Sequence, residues 1–229
     1  MSEVITIGNI IILPETTKNP ITLMGKRAGV CWGGDTSDDE KNYQRGLDCL
    51  ESNHGRVMEY VNVEVVLQGF SARVIREWYT HIGGSPSRLQ SSTRYINYED
   101  FPYVIPPSIQ RNGEARELYK ELMSNISLTI QYLRKLGIDQ EDCGMVLPLC
   151  METVVVDKRN LRSYYDMSHQ RLCIRAYWEF RLMLNKLFKE LSEYSEEWAY
   201  IIKTYMKPKC EYLGYCPEKK SCGNKNKKL

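Results

Sequence analysis

The chain has 229 residues, 42% hydrophobic and 26% charged, with a formal net charge of +2. This suits a globular protein with a sizeable core, and the near-neutral balance gives no global field aimed at nucleic acid or membrane. No apolar run nears the ~20 residues that span a bilayer, and the start MSEVITIGNIIILPETTKNP lacks the basic opening of a secretory leader. A cytoplasmic location without membrane or nucleic-acid partners is expected.

With no internal repeat and no Ser/Pro linker, the sequence reads as one domain over residues 1–205 followed by a Cys/Lys-rich tail over 206–229. Residues 39–52 (DEKNYQRGLDCLES) predict a helix that His54-Gly55 ends. YVNVEVVLQGF alternates, with Val61, Val63, Val65 and Leu67 on one face and Asn62, Glu64 and Gln68 on the other; this is the period of a half-buried strand. Ser71 is placed to cap a helix ARVIREWYTHI that stops at Gly83-Gly84. TRYINYEDFPYVIP predicts a strand and then a turn. A long amphipathic helix follows over 113–138, with Leu118, Leu122, Ile126 and Ile130 on one stripe. METVVVDK predicts a β-branched strand, RNLRSYYDMSHQR a polar helix. LCIRAYWEFRLMLNKLFKEL predicts a last helix with Leu172, Ala176, Phe180, Leu184, Leu187 and Leu191 inward. The order points to an α+β fold, an antiparallel-rich sheet covered by long helices. No Gly-rich phosphate fingerprint follows any strand.

Three segments could carry chemistry. In HIGGSPSRLQSSTRYINY, glycines precede Arg88, Gln90, Ser91, Ser92, Thr93 and Arg94. Guanidinium forks and hydroxyls match phosphate oxygens, although the same composition describes a solvated polar loop. In RNLRSYYDMSHQR, Asn160, Arg162 and Asp166 share a helical face that could line a cofactor, or Arg162 and Asp166 form a simple surface pair. In NHGRVMEY, His54, Arg56 and Glu59 precede the first long strand and alone would read as a loop.

Taken together and in order, REWYTHI (residues 76–82), SSTRY (91–95), VLPL (146–149), NLRS (160–163) and Arg171 resemble the flavin-dependent thymidylate synthases, from about His54 to Arg181. The chain departs from that family's pattern where Thr80-His81-Ile82 stands in place of Arg-His-Arg. Gly144 stands in place of an arginine, and about two extra residues lie between His81 and Ser92. Arg88, inside that insertion, is the candidate to replace a lost charge.

The resemblance implies an enzyme that converts dUMP to dTMP, a methyltransferase using methylenetetrahydrofolate as one-carbon donor and NADPH as reductant through FAD. It implies Glu77, Gln90, Ser91, Ser92, Thr93, Arg94 and Arg171 at dUMP, with Arg94 on the phosphate and Arg171 activating the ring. It implies His54, Arg56, Glu59, His81, Ile82, Arg88, Asn160, Arg162 and Asp166 at FAD, and a homotetramer whose active sites form where subunits meet. Alternatives are a non-catalytic nucleotide-binding protein on the same fold and an RNA-binding module using Arg88, Arg94 and the basic tail.

Of eight cysteines, Cys31, Cys49, Cys143, Cys150 and Cys173 sit in or near apolar patterns and read as buried free thiols. Cys143, Cys150 or Cys173 as a nucleophile would need an activating base or cation. Cys210, Cys216 and Cys222 lack the CxxC spacing of common zinc sites, and no fourth ligand is evident nearby. A disulfide or a solvated tail is expected there, and no metal; Lys219, Lys220, Lys225, Lys227 and Lys228 make that tail basic.

Overall fold

A computed structural model describes residues 8–227; Lys228 and the first seven residues of the expected domain lie outside the described residues. In chain order the elements are strand β1 (Asn9–Ile12), helices α1 (Pro20–Cys31) and α2 (Asp39–Glu51), a 3-10 turn (Gly55–Tyr60), β2 (Asn62–Ser71) and α3 (Ala72–Tyr79). Then come β3 (Ser87–Gln90), α4 (Pro107–Gln110), α5 (Gly113–Lys135), α6 (Gln140–Cys143), a second 3-10 turn (Gly144–Val146), β4 (Glu152–Asn160) and α7 (Leu161–Arg171). Helices α8 (Trp178–Tyr194), α9 (Glu196–Tyr205) and α10 (Lys209–Leu213) complete the chain. The strands form one antiparallel sheet in the order β1-β2-β4-β3, so the fold is α+β as expected.

The chain divides into two compact units, one of residues 8–9, 67–76 and 89–155, the other of residues 10–66, 77–88 and 156–227. In the first, Tyr98, Phe101, Met123, Ile130, Cys143 and Met151 form the core. In the second, Val61, Val63, Val65, Trp78, Leu161, Phe180, Leu184 and Leu187 are fully buried, each aliphatic side chain contributing about 1.5–3 kcal/mol. The alternation read over β2 is realised: Val61, Val63, Val65 and Leu67 face inward. Ser71 caps α3, its hydroxyl accepting from the Val74 amide at 3.2 Å. Among the described residues no helix is long and apolar enough to cross a membrane.

Several expectations need correcting. No strand forms over Thr93–Ile96; the chain turns there, with the Tyr95 and Ile96 amides both bonded to the Ser92 carbonyl. The strand lies just before it, in β3, because the polar run Ser87–Gln90 pairs at the sheet edge where solvated side chains are tolerated. On α5 the buried stripe is rotated: Met123 and Ile130 are inside with Ile126 half-buried, while Leu118 and Leu122 are 68% and 53% exposed. Two apolar stripes occupy that helix, and periodicity alone does not choose between them. The last long helix begins at Trp178 rather than Leu172. Residues 172–177 turn instead, the Ala176 amide bonding the Cys173 carbonyl at 2.8 Å and the Arg181 guanidinium donating to the Ile174 carbonyl. Helix α3 ends at Tyr79, before Gly83-Gly84. Of the five cysteines expected as buried thiols, Cys49 and Cys143 are buried, Cys150 and Cys173 are half-buried and Cys31 is exposed; Cys210, Cys216 and Cys222 carry no disulfide.

Candidate functional site

The most constrained group gathers where α3 ends, α7 ends and α8 begins. Arg171, the last residue of α7, donates from Nε to Nε2 of His81 at 2.9 Å. Its Nη1 reaches Glu77 at 3.4 Å, and its guanidinium lies 4.9 Å from the centre of the Phe180 ring. The His81 ring meets the same phenylalanine edge-on at 5.5 Å. An acceptor at Nε2 puts the imidazole proton on Nδ1. Burial, then the positive charges of Arg171 and Arg159, push the His81 pKa down to about 4. The ring is therefore neutral near pH 7, as its bond to a cation requires. Nη2 of Arg171 has no hydrogen-bond partner among the described residues.

Beneath this group lies a charge pair that the sequence reading did not single out. Along β4 the inward positions are Thr153, Val155, Asp157 and Arg159. Asp157 and Arg159 are fully buried and joined by two bonds of 2.6 and 2.8 Å. Asp157 also accepts from the Trp78 indole at 2.9 Å. Arg159 donates to the His81 carbonyl at 3.2 Å and stacks over Trp78 at 4.4 Å. The signal was available: two opposite charges on the inward side of a β-alternation have no water to face and must pair.

The turn after His81 is fixed by close packing. Gly84 has φ +75°, and a Cβ there would stand 2.4 Å from Asn160 Nδ2, so only glycine fits. Asn160 is not on the helical face but caps α7, its side-chain oxygen accepting from the Ser163 amide at 2.9 Å. Ile82 is exposed. Arg88 is folded back onto the same segment, bonded to the Tyr79 carbonyl at 2.9 Å with its guanidinium 4.5 Å from the Tyr79 ring centre.

His54, Arg56 and Glu59 are exposed on the 3-10 turn that packs against α7. A Cβ on Gly55 would lie 1.5 Å from Nη1 of Arg162, so the glycine lets Arg162 cross the turn. Arg162 and Asp166 form the surface pair anticipated from their spacing, at 3.2 Å. This turn and the start of α7 thus bring together two arginines, a histidine and two carboxylates, all at least partly exposed.

The remaining candidates, Gln90 to Arg94, belong to the other unit. Gln90 bonds Thr153 at 3.3 Å, and the Ser91 amide bonds the Val154 carbonyl at 2.9 Å, tying the segment to β4. Ser92 Oγ accepts from the Arg94 amide at 3.2 Å, and Gln140 bonds the Thr93 carbonyl at 3.4 Å. Arg94 is exposed and bound through Nε to Glu141 at 2.6 Å. A Cβ on Gly144 would stand 3.3 Å from Cβ of Thr93, a tight contact.

The fold and these residues place the chain among α+β proteins of the thymidylate synthase type: the Thymidylate synthase complementing protein family matches residues 13–195. A protein named flavin-dependent thymidylate synthase from Pyrococcus abyssi is 33% identical over 176 residues, 74% of this chain and 70% of the relative. One so named from Nitratidesulfovibrio vulgaris is 30% identical over 178 residues, with the same coverage of both chains. Another from Pyrococcus furiosus is 29% identical over 222 residues, 91% of this chain and 89% of the relative. The chain belongs to the flavin-dependent thymidylate synthase family.

Proposed function

We propose that this protein converts dUMP to dTMP, taking a one-carbon unit from methylenetetrahydrofolate and reducing equivalents from NADPH through bound FAD. The observation that carries the reading is Arg171. It is an arginine held on three sides by His81, Glu77 and Phe180, with Nη2 left for a ligand. A fixed positive charge beside uracil lowers the pKa of N3 and favours the electron-rich ring that attacks a one-carbon electrophile. His81, neutral near pH 7, orients Arg171 without competing for the anion.

Bound FAD, once reduced by NADPH, would supply the hydride that completes the methyl group. On this reading His54, Arg56, Glu59, Asn160, Arg162 and Asp166 bind it, with His81, Ile82 and Arg88 alongside. The turn Gln90, Ser91, Ser92, Thr93 and Arg94 binds the nucleotide, and Glu77 holds Arg171 in place. Arg94 meets the phosphate. Its exposed pair with Glu141 is worth no more than about 1 kcal/mol, so a dianion displaces it readily. Exposed Leu118, Leu122, Leu128, Tyr132 and Leu136 on and just beyond α5 support a homotetramer in which subunits complete one another's sites.

The test is a purified sample. Flavin absorbance that bleaches anaerobically with NADPH, together with dTMP formation from dUMP, supports the enzyme. A colourless protein that binds dUMP but releases no tritium from ring-labelled dUMP is the non-catalytic alternative. Salt-sensitive RNA binding without flavin would point to the third reading.

A further inference from the structure

Taking two opposite charges out of water often costs as much as their attraction returns, and apolar residues of similar volume stabilise a core as well or better. The fully buried Asp157 and Arg159 therefore call for a role beyond stability, and their bonds lead to the site.

Each nitrogen of the Arg159 guanidinium donates. Nε and Nη2 reach the two Asp157 oxygens at 2.6 and 2.8 Å. Nη1 is shared between the His81 carbonyl at 3.2 Å and Ser163 Oγ at 3.4 Å. The first of these acceptors lies just past the end of α3, the second in the first turn of α7, the helix that ends in Arg171. One guanidinium thus ties together the two elements that supply His81 and Arg171.

Two routes run from Arg159 to the Arg171 guanidinium. The polar one passes through His81. Its carbonyl lies beyond the helix, where no intrahelical donor follows, and among the described residues Arg159 is its donor. The imidazole of the same residue accepts from Arg171 at 2.9 Å. Fixing that carbonyl fixes the backbone from which the ring projects. The aromatic route passes through Trp78. Its indole donates to Asp157 at 2.9 Å, and its ring centre lies 4.4 Å from the Arg159 guanidinium carbon and 5.5 Å from the centre of Phe180. Phe180 is the ring against which Arg171 and His81 both pack.

Taking Arg171 as the cation that activates the ring, we propose that Arg159, locked by Asp157, is a positioning residue for the reaction: it holds the His81 carbonyl, and so sets the angle at which the imidazole receives Arg171 and the direction in which Arg171 Nη2 faces the pyrimidine. Arg159 itself does not touch the ligand. It is buried with each nitrogen already donating, and Asp157 cancels its charge, so the pair orients without competing for the anion. Arg159 also adds to the burial and to the Arg171 charge that keep the His81 ring neutral. A neutral ring with its proton on Nδ1 is the form that accepts at Nε2.

The test uses two variants of the full chain as purified. Arg159→Lys keeps a positive charge against Asp157, but one ammonium does not reproduce a fork that spans a carboxylate and a carbonyl. Asp157→Asn with Arg159→Met removes both charges and leaves the Trp78 indole an acceptor, which serves if the lysine variant fails to fold. Ring nitrogen NMR shifts report the His81 tautomer without reference to activity. The wild type should show one form, protonated at Nδ1. Either folded variant should show a mixture of both tautomers, with kcat down about 10- to 100-fold and the dUMP dissociation constant changed less than about tenfold. An unaltered tautomer or an unaltered kcat in a folded variant would assign the pair to stability alone and overturn the proposal, and mixed tautomers in the wild type would overturn it as well. A wild-type chain that binds dUMP yet makes no dTMP would instead refute the ring-activating role of Arg171, and the tautomer would then decide by itself whether Arg159 sets His81.

Discussion

His81 offers the sharpest physical prediction, because its neutral state follows from where it sits. Burial first, then Arg171 and Arg159, lower its pKa from 6.5 to about 4. A group with a depressed basic pKa binds fewer protons folded than unfolded. The associated stability is complete above the unfolded value and is lost as pH falls through 6.5 towards 4. Between about pH 7.5 and about pH 5 those two values would cost roughly 2 kcal/mol. The ring is only half-buried, and solvent screening reduces this to about 1 kcal/mol. The chain has three histidines, so ring NMR resonances are few enough to assign by single His→Gln substitutions. His81 should titrate near 4, and Arg171→Met should raise that value without restoring 6.5, since burial remains. Urea unfolding of His81→Gln should lack the acid-side loss. A His81 titration at its ordinary value, or one that Arg171→Met leaves unmoved, would refute the reasoning.

Three further outcomes are expected. Asp157→Ala leaves the fully buried Arg159 unpaired and the Trp78 indole without its acceptor, and should cost about 3–5 kcal/mol in urea unfolding; a cost under about 1 kcal/mol would mean that water reaches the pair. Arg94→Ala should weaken dUMP binding about 10- to 100-fold in calorimetry with flavin content unchanged; unaltered affinity would remove the phosphate assignment. If the chain forms the proposed tetramer, Leu118→Glu with Leu122→Glu should dissociate it in sedimentation velocity while helix content by circular dichroism holds; an assembly unchanged by the pair of substitutions would show that this exposed stripe is not an interface.

The strands were legible where burial imposes a simple period. Val61, Val63, Val65 and Leu67 alternate because one face of β2 meets the core. Helix α5 was legible in extent but not in orientation, because Leu118 and Leu122 form a second apolar stripe that the single chain leaves exposed. The break at residues 172–177 carries no glycine or proline; it is a turn closed by the Ala176 amide on the Cys173 carbonyl, which the sequence pattern does not announce. At the site, ordered motifs sufficed to nominate Arg171, His81 and Glu77, which the fold brings into contact. The Asp157–Arg159 pair beneath them stands at inward positions of β4, where the β-branched run of Val154–Val156 is the more conspicuous signal.

The central claim, that the Arg171 guanidinium activates a bound pyrimidine ring, is tested most directly by comparing turnover and dUMP affinity in Arg171→Ala. The account predicts that turnover falls about a hundredfold or more while the dUMP dissociation constant changes less than about tenfold. Equal losses in both, or full turnover in the variant, would contradict it.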